Sequence, residues 1–172
     1  MTGEIRNKVA ESALITFDLE KYYDQGERVV FDIKDQLFQE MVLREKDFRA
    51  FVKTNDWSVF KGKNVAIICS ADAIVPTWAY MLLATALGTS AKNFVFGDLD
   101  CLENYLFQKA LSKIDLAEFE DQKVIIKGCG NLPVPEFAYV EISKLFLPVV
   151  SSLMYGEACS AVPLFKRPKS KD

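Results

Sequence analysis

Val65-Ala66-Ile67-Ile68-Cys69-Ser70-Ala71-Asp72 is the stretch that decides the fold class. Four apolar residues, mostly β-branched, read as a strand buried on both faces. A thiol, a hydroxyl and a carboxylate follow, and a helical pattern begins near Ile74. In an open α/β sheet the place where a strand hands over to a helix is the ligand edge. The same grammar returns at Val124-Ile125-Ile126-Lys127-Gly128-Cys129.

Downstream, Ile74 to Leu87 is apolar almost all round, which predicts a buried helix with Pro76 in its first turn and Gly88 as its stop. Asp72 is placed to cap it. Asn93-Phe94-Val95-Phe96 reads as the next strand and ends in Gly97-Asp98. Leu102, Leu106, Ala110 and Ile114 share one face of a helix over Leu99 to Ile114, with Cys101 in its first turn and Asp98 or Asp100 as caps. Asp115 to Asp121 reads as a turn or a short helix. After the strand at Val124, Pro135 marks a helix start, and that helix runs to Tyr155-Gly156 with a kink or restart at Pro148. A last short strand covers Ala161 to Phe165, and the basic tail from Lys166 is expected to fray.

Upstream the pattern is less regular. Residues 3–11 suggest a short helix, Leu14 to Phe17 a strand, and Val29-Val30-Phe31 another. Asp32 to Gln39 fits a helical turn, and Met41-Val42-Leu43 a small edge strand. Glu45 to Thr54 is a clearer helix, with Phe48, Phe51 and Val52 on one face and an acidic start that suits the helix dipole. No internal repeat or low-complexity tract stands out. The sum predicts one α/β domain over residues 1–172: a mainly parallel sheet with right-handed crossovers, flanked by helices on both faces, with a less regular N-terminal third.

Bulk properties exclude more than they assign. Half of the 172 residues are hydrophobic and thirteen are Phe, enough for a core that needs no staples. A net charge of −3 argues against nucleic acid as the main partner. No run approaches the roughly 20 apolar residues that span a bilayer, and no signal-peptide pattern is seen, so a cytoplasmic protein without a membrane partner is the expectation. The chain has no histidine. That removes His-ligated zinc, Ser-His-Asp catalysis and a His-activated thiol, and leaves acid–base work to Asp, Glu, Lys, Tyr or Cys. No GxGxxG or GxxxxGK[ST] supports a dinucleotide or nucleoside triphosphate.

Four widely spaced cysteines remain, Cys69, Cys101, Cys129 and Cys159, which a reducing cytosol keeps as thiols. Three parallel strands with a common C-terminal edge would bring Cys69, Asp98 and Cys129 together. Asp72, Glu157 and Cys159 are further candidate ligands. Such a set suits zinc, iron or an iron–sulfur cluster. The spacing matches no standard motif, and the plainer reading is that the cysteines are small buried hydrophobes. A third reading makes Cys69 a nucleophile, its thiolate favoured by the helix that follows. Asp72 and Asp98 have a plainer role as helix caps, and Glu157 as part of a solvated turn.

Several segments together, Val30-Phe-Asp-Ile-Lys-Asp35, Cys69-Ser-Ala-Asp-Ala-Ile-Val-Pro-Thr-Trp-Ala-Tyr80, Phe96-Gly-Asp98, Lys127-Gly-Cys129, and Met154-Tyr-Gly-Glu-Ala-Cys-Ser160 with Lys166-Arg-Pro168, resemble a bacterial domain-of-unknown-function family, number 2480. The resemblance brings no established activity and identifies no catalytic residue. It implies an association with proteins of iron–sulfur cluster assembly as partners. The leading expectation is thus an accessory protein of metal or iron–sulfur homeostasis. The alternatives are a thiol enzyme built on Cys69 and a non-catalytic interaction module.

Overall fold

The computed structural model describes residues 14–128 and 130–168. In chain order the elements are β1 (Leu14–Asp18), β2 (Arg28–Asp32), α1 (Glu45–Thr54), β3 (Asn64–Ile68), α2 (Thr77–Leu87), β4 (Asn93–Phe96), α3 (Leu99–Leu111), β5 (Lys123–Lys127), α4 (Glu136–Phe146), β6 (Ser152–Tyr155) and β7 (Val162–Lys166). Short 3-10 turns stand at Leu19–Tyr22, Ile33–Gln36, Trp57–Phe60 and Leu116–Phe119. The chain is an α/β protein. Its strands form two sheets, ordered β2-β3-β4 and β1-β5-β6-β7, in which every pairing except β6 with β7 is parallel.

Two compact units result. The inserted unit is Asp24–Leu106, and the split unit takes the described residues up to Tyr23 and from Phe107 onward. In the inserted unit, alternation along β3 sends Val65 and Ile67 to one face and Ala66 to the other. The first pair packs with Ile33, Phe48, Leu83 and Leu87, so that α1 and α2 cover that face. Ala66 meets Leu102 and Leu106 of α3 and Val95 of β4. Both faces carry helix, which is why β3 reads as a continuous apolar run rather than an alternating one. In the split unit, Phe17, Val124, Ile126 and Leu153 pack with Phe107, Leu111, Ile142 and Phe146. Full burial of such side chains contributes roughly 1.5–3 kcal/mol each.

The two units are copies of one plan, although the sequence reading finds no repeat. The 3-10 turns at Trp57 and Leu116, then β3 and β5, α2 and α4, and β4 and β6, begin and end 59 residues apart without a gap. β1 and β2, with their 3-10 turns, are 14 apart. Small features follow the same shift. Asp56 and Asp115 cap their turns through Ser58 N–H (2.9 Å) and Ala117 N–H (3.0 Å). Gly62 and Asp121 both have positive φ, 72° and 56°. The Gly97 amide donates to the Ile67 carbonyl at 2.9 Å, and the Gly156 amide to Ile126 at 3.0 Å. Strand registers agree too: Asp32 lies beside Ile68 as Asp18 lies beside Lys127. Few positions are identical, among them Phe48 and Phe107, Pro76 and Pro135, Tyr80 and Tyr139, and Gly97 and Gly156. What recurs elsewhere is apolar character at buried sites, and that is too common in sequence to announce a repeat.

The structure corrects several expectations. β3, β4 and β5 do not share a sheet, because β5 pairs with β1 and not with β4. The helix expected to reach Tyr155 ends at Phe146; Pro148 has no N–H to continue it, and Ser152–Tyr155 pair with β5 as a strand. Asp72 does not cap α2, whose N-cap is Pro76, one position before the first turn expected for it. Met41-Val42-Leu43 is not a strand; Val42 makes isolated bridges to Phe38 and Ile74. Lys166 ends β7, and Arg167 is held by Asp121 and by the Val149 carbonyl (2.9 Å). The expected helix over residues 3–11 and the last residues of the tail lie outside the described residues.

Candidate functional site

Parallel strands present their C-terminal ends at one edge of each sheet, and there the backbone turns away and exposes side chains and amides. In the split unit the edge is formed by Asp18 at the end of β1, Lys127 and Gly128 at the end of β5, and Tyr155 to Glu157 after β6. Asp18 caps its 3-10 turn through Glu20 N–H at 3.1 Å, and its other oxygen faces Lys127 Nζ at 3.4 Å. Glu20 reaches across: its carboxylate accepts Gly130 N–H at 2.6 Å and Leu132 N–H at 3.5 Å. A Cβ at position 130 would meet the Glu20 carboxylate, so any side chain there would displace it from its two backbone amides. Asp18, Glu20, Lys127, Gly128, Gly130 and Glu157 enclose a small polar recess of about 80 Å³.

Gly128 also borders a second, apolar cavity of about 660 Å³. Its walls include Ile126 of β5, Leu132 and Val134 from the segment before α4, Tyr139 and Val140 of α4, Tyr155 of β6 and Leu164 of β7. The Tyr139 and Tyr155 rings meet edge to face, 5.8 Å between centroids and 80° apart. A Cβ at Gly128 would lie 2.7 Å from the Tyr139 hydroxyl oxygen, so the missing side chain is what lets that oxygen approach the strand end. Cavities of this size, mostly apolar with a few converging polar groups, are of the kind that hold small ligands.

The inserted unit supplies an internal control. Tyr80 and Phe96 repeat the ring pair, 5.1 Å apart at 76°. Around it the chemistry differs: Ile68 stands where the split unit has Lys127, Cys69 where it has Gly128, Lys34 where it has Glu20, and Asp98 where it has Glu157. Asp32, the counterpart of Asp18, is occupied by Ser70, whose N–H (3.1 Å) and hydroxyl both donate to it. Partial desolvation pushes the Asp32 carboxyl up, but these bonds and the Lys34 amide outweigh it and hold it below its ordinary range.

The residues singled out in sequence are dispersed. Cys69 follows β3, is half-buried beside the inserted unit's core, and has Sγ 3.5 Å from the Ala71 carbonyl oxygen. Asp72 is exposed in the loop before α2. Asp98 caps α3 through Cys101 N–H at 2.9 Å, and that bond is the main reason its carboxyl lies below the ordinary range. Glu157 and Cys159 are exposed in the β6–β7 connection, so Cys159 follows a strand, not a helix. Cys129 lies outside the described residues. Among the described residues no three His, Cys, Asp or Glu side chains form a group that could hold a metal ion. Of the expected ligands among the described residues only Glu157 lines the polar recess. Asp18, Glu20, Tyr139 and Tyr155 were not picked out, because sequence alone did not place β1 beside β5. The one available signal was Phe-Asp at the end of both β1 and β2, repeated fourteen residues apart.

Among the described residues no helix is long and apolar enough to cross a membrane. The family described as "Protein of unknown function (DUF2480)" matches residues 3–167. No curated protein and no solved structure matches the chain.

Proposed function

We propose that this chain, which belongs to the DUF2480 family, binds a small organic amine at the C-terminal edge of its split unit. The carrying observation is the apolar cavity of about 660 Å³ that meets a polar recess at Gly128. Among the described residues the recess carries three carboxylates, Asp18, Glu20 and Glu157, against one ammonium, Lys127, which already faces Asp18. Its charge therefore favours a cationic head. The tyrosine pair and aliphatic wall suit an apolar body, and an ammonium close to aromatic faces gains further attraction. Binding, and not turnover, is the reading: Asp18 and Glu20 are engaged with the chain's own groups. The finer expectation of a thiolate metal centre in metal or iron–sulfur homeostasis has no three-ligand group among the described residues behind it.

The test is an NMR titration with phenethylamine and butylamine, and with 3-phenylpropionate as an anionic control, followed through the Tyr139 and Tyr155 ring signals. Saturable shifts with the amines, weakened by Glu157→Gln and abolished by Val140→Trp, are expected. Val140 is 62 % exposed, so the larger ring fills the mouth of the cavity without disturbing the core. Equal binding of the carboxylate would overturn the charge argument. Absence of saturable binding, with stoichiometric zinc or iron in protein purified without oxygen, would return the metal reading to first place.

A further inference from the structure

From the comparison of the two units we infer that the outer edge of β4 is a docking edge for a second copy of this chain, which adds its own β4 antiparallel. In the split unit the equivalent edge, on β6, is occupied: β7 pairs with it antiparallel, setting Val162 beside Tyr155 and Phe165 beside Leu153. Among the described residues the inserted unit has no such strand: β4 pairs with β3 alone, and its sheet ends there. Exposure records the difference. Phe96 is 70 % exposed, whereas its counterpart Tyr155 is half-buried.

The free edge is chemically ready. Gly97 donates its amide to Ile67 of β3. Because backbone groups alternate along a strand, the N–H and C=O groups of Phe94 and Phe96 then point away from β3. Unpaired edges of this kind are templates for another strand.

A second β4 is the occupant that fits best. With the two-fold axis at Val95, Phe94 of one copy lies opposite Phe96 of the other, and every outward N–H and C=O on both strands finds a partner. Both cross-strand pairs are then aromatic, a favourable combination. A two-fold isologous contact is also the commonest form of homo-oligomer. The product is one continuous sheet through both inserted units, with Phe96 covered as β7 covers Tyr155.

Sedimentation velocity on the full chain, with amide exchange on the same samples, tests this. A reversible dimer is expected, with the Phe94 and Phe96 amides gaining protection as concentration rises. Phe96→Lys should weaken the dimer at least tenfold. Val162→Lys, at another exposed position on an edge strand, β7, should leave it intact. A wild-type monomer at every concentration, a dimer indifferent to Phe96→Lys, or a dimer lost through Val162→Lys alone would each overturn the inference. The exchange measurement on wild-type protein decides the matter even if Phe96→Lys fails to fold.

Discussion

Asp24, where the chain enters the inserted unit, organises a partly buried polar cluster, and changing it to Asn isolates the worth of its charge. One carboxylate oxygen accepts from Gly26 N–H at 2.7 Å, Asn64 Nδ2 at 2.9 Å and Lys92 Nζ at 3.0 Å. The other faces Lys92 at 2.7 Å. Asn64, fully buried, in turn accepts from Asn93 Nδ2 at 2.7 Å. Desolvation alone would push the Asp24 carboxyl up, but Lys92, Asn64 and Gly26 outweigh it and bring it from 3.8 to about 2. At 1.36 kcal/mol per unit this favours the folded state by about 2 kcal/mol near neutral pH. A carboxyl whose pKa is lower folded than unfolded adds stability above its unfolded value and loses it as pH falls through the folded one. The contribution is therefore complete at pH 7, begins to decline near pH 4 and is gone below about 2. Urea titrations followed by tryptophan fluorescence measure it, since Trp57 and Trp78 both belong to the inserted unit. Asp24→Asn should lose about 2 kcal/mol at pH 7, and the gap to wild type should close as pH approaches 2. A gap that stays constant between pH 7 and pH 2.5 would show that the hydrogen bonds matter and the charge does not, and would refute the reasoning.

Two shorter predictions follow from the paired units and the cysteines. Gly97 and Gly156 sit at φ 131° and 112°, but a Cβ at Gly97 would lie 2.7 Å from Cys101 Cβ, whereas at Gly156 the nearest atom is the Ser160 carbonyl oxygen at 3.3 Å. Both alanine variants carry strain of about 1–3 kcal/mol, and in urea unfolding Gly97→Ala should lose clearly more than Gly156→Ala. Among Cys69, Cys101 and Cys159, mass spectrometry after brief alkylation of the native protein should find Cys159 labelled first. Hydrogen bonding to Asp98 pushes the Cys101 thiol up, so Asp98→Asn should speed its labelling; Cys69 reacting fastest would restore the nucleophile reading.

Local elements were legible where one force dominates. The Phe48, Phe51 and Val52 face predicted α1, and the apolar run at Val65 predicted a strand covered on both faces. Elements governed by distant partners were not. Ser152–Tyr155 carries no strong strand signal of its own and is a strand because β5 offers it a parallel edge. The candidate site went largely unread for the same reason. Lys127 was visible at a strand end, but Asp18 and Glu20 join it only because β1 pairs with β5 across the whole inserted unit. Asp72 has the chemistry of a favoured N-cap residue, but the loop runs on to Pro76 before the helix starts. The duplication was hidden because the copies share buried apolar positions more than identities.

Insertion of one unit inside another also sets an order of events for the growing chain. The strand pairings of the inserted unit, β2 with β3 and β3 with β4, close much shorter loops than β1 with β5 does. β1 emerges first, yet its partner β5 lies more than a hundred residues later. During synthesis at 5–20 residues per second, β1 waits several seconds with its edge unpaired. By then the inserted unit has all of its strands and can fold, drawing its two ends together. Folding of the nested unit thus replaces a long random search by a short one: it is the clasp that brings the two halves of its host within reach.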